Sequence, residues 1–137
     1  MEVASHDERT LTELDHARLT RLVRDLRPTD GGETVASLLD DADLVPSQSI
    51  RPDVVTMYSQ VLLVDVATRR SRRLTLCYPS DAEPDAGFVS VLSPVGASLL
   101  GRRVGSVAMW CSPSGGTIAS EVAAICFQPE ESGDYST

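Results

Sequence analysis

Between Pro46 and Pro52 the hydrophobic periodicity of this chain changes, and that change constrains its architecture more than any other feature. Before it, apolar residues recur every three or four positions: Leu11, Leu14, Leu19, Leu22, Val23 and Leu26, then Val35, Leu38, Leu39 and Ala42. That is the spacing of two amphipathic helices. After it come short apolar, β-branched runs at residues 61–66, 73–78, 88–92, 107–111 and 118–127, separated by turn signals, which read as strands. Helices followed by strands define an α+β fold, and the polar segment VPSQSIRP is the linker between its parts.

The helical part has its own punctuation. Thr10 is the expected N-cap, with Glu13 three residues on in capping-box order, and Pro28 ends the helix. This first helix should run for about seventeen residues, or roughly 25 Å. PTDGG is a turn by composition, and residues 33–44 resume helical spacing. Residues 10–45 therefore read as a short antiparallel helical hairpin after a tail at 1–9. Asp30 and Glu33 are the carboxylates of its tip. Two carboxylates at a tip could complete the shell of a metal held by another protein. A polar turn with a first-turn glutamate facing the helix dipole is the preferred reading. Asp40, Asp41 and Asp43 read as a solvated helix end.

In the strand half, the stretch from Phe88 to Gly101 punctuates itself most clearly. A strand ends at Ser93, which is placed to cap a short helix begun by Pro94 and closed by Gly101, the residue suited to a left-handed position. SPSGG should connect the last two strands as a hairpin. The expected product is a mainly antiparallel sheet carrying one short helix. Arg69, Arg70, Arg72 and Arg73 form the one dense basic patch, and strand alternation should split it, with Arg70 and Arg72 on one face and Arg69 and Arg73 on the other. Asp81, Glu83 and Asp85 alternate in a loop that lacks the glycine and glutamate of a calcium-binding loop.

Composition narrows the chemistry. At 137 residues the chain supports one domain with a real core and a small appendage. Its net charge of -8 repels free nucleic acid, and all twelve basic residues are arginine. The absence of lysine excludes Schiff-base, P-loop and kinase-type phosphate chemistry. Cys77, Cys111 and Cys126 lack zinc-site spacing and read as buried reduced thiols, while His6 and His16 read as solvated surface residues. No triad, phosphate loop or acid/base carboxylate pair emerges. The expectation is a binding protein that is not an enzyme and has no cofactor or metal. With no apolar stretch of membrane-crossing length and no signal-peptide order at MEVASHDERT, the cytoplasm is its expected compartment.

The segment VSVLSPVGASLLGRRVGS, followed by SPSGGTIASEVAAI, resembles the C-terminal domain of the Gre transcript-cleavage factors. PDVVTMYSQVLLVD, LCYPSD, LSPVGASLLGRRVG and FQPEESGDY more closely resemble the bacterial regulators of nucleoside diphosphate kinase, with LDHARLTRLV fitting in the helices. The resemblance implies an FKBP-like domain over 52–137 on a shortened hairpin, and RNA polymerase as partner. Nucleic acid would be met only through polymerase. The domain would grip the rim of the secondary channel through Leu92, Ser93 and Pro94, with Leu92 standing where Gre proteins carry an acidic or amide residue. The implied function is a noncatalytic transcription regulator that competes with Gre-type factors. The alternative is a regulator of nucleoside diphosphate kinase acting by direct contact or through expression, and a true cleavage factor ranks below both. Gre proteins reach the polymerase active site with a much longer coiled coil, so no catalytic role passes to Asp30 or Glu33.

Overall fold

Two layers of information meet in the fold: an amino-terminal helical unit and a curled sheet, sharing one apolar core. A computed structural model describes residues 8–27 and 32–133. His6, most of the expected tail, and Pro28 and Asp30 of the hairpin turn lie outside the described residues. Strand β1 (Thr10–Thr12) leads into helix α1 (Glu13–Arg24), and helix α2 (Glu33–Asp41) leads into strand β2 (Asp43–Val45). β1 and β2 pair in parallel, with Leu11 opposite Leu44. The helices run antiparallel: His16 faces Leu39 at one end, while Val23 and Leu26 crowd Gly32 at the other.

The ends of both helices differ from the sequence reading. Thr10 is not the N-cap. It belongs to β1, and the helix starts two residues later, where the Thr12 hydroxyl accepts the Asp15 backbone N–H at 3.0 Å. The capping pattern is thus Thr12 with Asp15, and Leu11 is drawn into the core instead of opening the helix. At twelve residues, α1 spans about 18 Å and not 25 Å. α2 closes at Asp41, because Ala42 is extended and Asp43–Val45 is used for pairing with β1. Asp43 and Leu44 are therefore strand residues, and Leu44 is exposed.

The second unit is a five-stranded sheet in the order β5-β4-β3-β7-β6. It comprises β3 (Gln60–Asp65), β4 (Ser71–Cys77), β5 (Phe88–Ser90), β6 (Val107–Cys111) and β7 (Thr117–Phe127), with helix α3 (Pro94–Leu99) between β5 and β6. All its pairings are antiparallel except β4 with β5. Val61, Leu63, Leu74, Leu76 and Val122 point to one face and are buried, together with Leu99 and Leu100 around α3. Leu11, Leu19, Val35, Leu38 and Leu39 of the helical unit join the same cluster. Each fully buried side chain of this kind stabilises the fold by about 1.5–3 kcal/mol, so the hairpin is held by shared burial more than by helix propensity.

Two side-chain expectations are corrected. Cys77 is buried, but Cys111 and Cys126 are exposed, since each sits on a strand position turned from the core. His16 is half-buried and not a free surface residue: its Nε2 lies 3.1 Å from the Leu39 carbonyl, joining α1 to α2.

Candidate functional site

The turn from β5 to α3 is built from its own side chains. Ser93 accepts the Gly96 N–H at 3.1 Å and donates its hydroxyl to the Ser90 carbonyl at 2.6 Å. Ser90 in turn accepts the Leu92 N–H at 3.0 Å. The Ser93 hydroxyl thus donates once and accepts once inside the turn, and so holds its shape. Pro94 is exposed at the first helical position, while Leu92 and Ser93 are half-buried.

Gly96 explains why the turn is so tight. A Cβ on this residue would collide with the Ser90 carbonyl, so glycine is required for the helix to pack on the preceding strand. At the other end, Gly101 has φ 81°, and its carbonyl accepts the Thr10 N–H at 3.1 Å. Arg9 completes this joint, since its guanidinium donates to the carbonyls of Ala97 (3.0 Å) and Leu100 (2.8 Å). A cation thereby satisfies the open carbonyls of the α3 C-terminus. The segment read as a capped strand-to-helix unit is also the anchor of the helical unit.

A second tie lies deeper. The buried carboxylate of Asp15 accepts the Met57 backbone N–H at 3.1 Å. Burial pushes the Asp15 pKa up to about 7, partly offset by the Met57 hydrogen bond, with the nearby Glu130 carboxylate raising it further. Glu130 is itself buried and accepts the Thr56 hydroxyl at 2.7 Å.

Immediately after Pro94, Val95 turns into a cleft of about 480 Å³ between α3 and the inner face of the sheet. Leu63, Trp110 and Ile118 supply apolar and aromatic surface, and Arg70 and Arg72 stand at the rim. Arg73 pairs across from Leu62 on the opposite face, as strand alternation requires. Asp65 also lines the cleft, and its Oδ1 accepts the N–H groups of Thr68 (2.9 Å) and Ala67 (2.8 Å), which hold its pKa below the ordinary value. Aromatic floor, aliphatic walls and exposed arginines suit a segment of folded protein better than a reacting small molecule. The sequence reading missed Val95 and Trp110. The lone tryptophan on an alternating strand was the available signal, but only the curl of the sheet brings it over α3.

Only one of the two expected tip residues lies among the described residues. Glu33 is exposed at the start of α2, whose N-cap Gly32 offers no side chain, and Asp30 lies outside the described residues. Among the described residues, no group of His, Cys, Asp and Glu side chains is arranged to hold a metal ion. None of their helices is long and apolar enough to cross a membrane.

Residues 50–126 match the family model described as transcription elongation factor GreA/GreB, C-terminal. Along 91% of its length the chain is 35% identical to the regulator of nucleoside diphosphate kinase of Escherichia coli K12, covering 93% of that protein. It is 32% identical to transcription elongation factor GreA of Solidesulfovibrio magneticus over 68% of this chain, but spans only 56% of that relative. In three dimensions it superposes with a TM-score of 0.75 on a GreA/GreB transcription elongation factor from Nitrosomonas europaea, at 30% identity, covering 89% of this chain and all of that one.

Proposed function

We propose that this chain, which belongs to the GreA/GreB transcription elongation factor family, is a noncatalytic regulator that controls nucleoside diphosphate kinase and docks on RNA polymerase through the cleft beside α3. The observation that carries this reading is coverage. The match to the kinase regulator runs through both the helical unit and the sheet, whereas the match to the longer GreA factor covers little more than half of that protein. This favours kinase regulation, the alternative in the sequence reading, over simple competition at the channel rim.

Helix length supports a noncatalytic role. Helices of twelve and nine residues span about 18 and 14 Å, shorter than the sequence suggested and far from a channel-length coiled coil. Control through expression joins the two partners: the cleft would hold polymerase, and kinase output would follow from transcription. In this scheme Leu92, Ser93 and Pro94 form the turn that leads into Val95 of the cleft, with Ser93 holding that turn from within. Competition with Gre-type factors is a second reading, favoured by the superposition on the elongation factor.

The test compares kinase transcript and kinase activity in cells carrying the wild-type chain or the pair Arg70→Glu and Arg72→Glu. Loss of regulation at the transcript level supports the scheme. If the purified chain instead alters turnover of the purified kinase without polymerase, the contact is direct. No change in either measurement refutes control of the kinase.

A further inference from the structure

The cleft uses one face of the sheet; the other face is open. Its side chains follow from the register. One row runs Phe88, Thr75, Gln60, Phe127 across β5, β4, β3 and β7. The next runs Arg73, Leu62, Ala124, and a third runs Ser71, Val64, Glu121, Val107, with Met109 beyond it on β6. Four large apolar residues here are well exposed: Phe88 37%, Val107 43%, Phe127 47% and Met109 60%. With the half-buried Leu62 and Val64 of β3, these side chains give the face an apolar component suited to a contact surface.

The charges on this face point to its occupant. Arg73 and Glu121 lie on opposite sides of β3, one row apart, and make no ion pair among the described residues. With strands about 4.8 Å apart and about 3.4 Å per residue, the two positions are about 12 Å from each other. The midpoint falls on β3 between Leu62 and Val64. A two-fold axis through that midpoint, perpendicular to the Arg73–Glu121 line, carries each arginine onto the glutamate of a second copy. The same operation brings Leu62 and Val64 of both copies together at the centre. Strands of the two sheets would then cross at about 70°, near the orthogonal class of sheet packing. An isologous contact requires a patch that complements itself, and this operation supplies that for Arg73 and Glu121 around the Leu62–Val64 centre.

We infer that the open face of the sheet pairs with the same face of a second copy of this chain, with Arg73 of each copy meeting Glu121 of the other. The inference is independent of the cleft. Sedimentation of the full chain from micromolar to near-millimolar concentration tests it. The wild type should show a concentration-dependent dimer, and Arg73→Glu or Glu121→Arg alone should raise its dissociation constant by about tenfold or more. The double exchange should restore it to within about threefold, because the pair is re-formed with its signs reversed. Met109→Glu reads the same face without touching the charge pair and should also weaken the dimer. A wild type that stays monomeric throughout overturns the inference. So does a dimer insensitive to the single exchanges, as pairing along the β6 edge would be, or one that the double exchange fails to restore.

Discussion

The Asp15 carboxylate accepts the Met57 backbone N–H at 3.1 Å, and this one bond joins the first turn of α1 to the chain entering β3. Around it the helical unit is fixed by three further contacts of different chemistry: Thr10 to Gly101, Arg9 to the end of α3, and the shared apolar cluster. The hairpin is therefore positioned relative to the cleft by its base.

Stability should depend on pH through Asp15. Its pKa rises from 3.8 to about 7 on folding, mainly through burial. The contribution of this group is fully present below the unfolded value and is lost as pH rises through the folded one. The wild type should lose at most about 4 kcal/mol between pH 4 and 8 from this source. Asp15→Asn keeps an acceptor for Met57 and removes the titration, so urea midpoints of the variant should vary less over that range. Parallel pH profiles for the two proteins would contradict the assignment.

Gly96→Ala should destabilise the chain by about 2–3 kcal/mol, because the new methyl meets backbone that cannot turn aside. Gly116→Ala, in the β6–β7 connection, meets only the Ser112 hydroxyl at 3.8 Å. It should stay within about 0.5 kcal/mol of wild type. Thermal unfolding of the two variants measures the contrast.

Arg9→Ala removes two charge-assisted bonds to the Ala97 and Leu100 carbonyls. A loss of about 2 kcal/mol is expected, measured by denaturant unfolding. Hydrogen exchange should show faster opening of the Thr10 and Gly101 amides, whose bonds lie in the same joint.

Ser93→Ala should cost about 1 kcal/mol by loss of the cap. Ser93→Thr keeps the hydroxyl and should retain most of that stability, read in the same unfolding experiment.

Much of this was legible in the sequence, and the limits have physical causes. The strand-to-helix turn was clear because Ser93, Pro94 and Gly101 signal locally, each by its own backbone preference. Thr10 misled because two threonines two residues apart both offer a capping hydroxyl. The choice of Thr12 depends on the pairing of β1 with residues 43–45, a contact distant in sequence. Arg70 and Arg72 were separated from Arg73 by strand alternation, but Arg69 sits in the turn before β4 with φ 62° and shares no strand face with Arg73, and the cleft that Arg70 and Arg72 border was invisible. Its floor joins Leu63, Trp110 and Ile118 from three strands with Val95 from a helix. Gly96 carried a readable signal, a glycine inside a helix, but the Ser90 carbonyl that demands it appears only in three dimensions.

The most direct test of a noncatalytic regulator that docks through this cleft uses stalled elongation complexes of purified RNA polymerase. The wild-type chain should bind them saturably and release no short 3′ RNA fragments above the intrinsic rate of the polymerase. The pair Arg70→Glu and Arg72→Glu should weaken that binding by about tenfold. Fragment release by the wild type, or binding left unchanged by the charge reversal, would contradict the account.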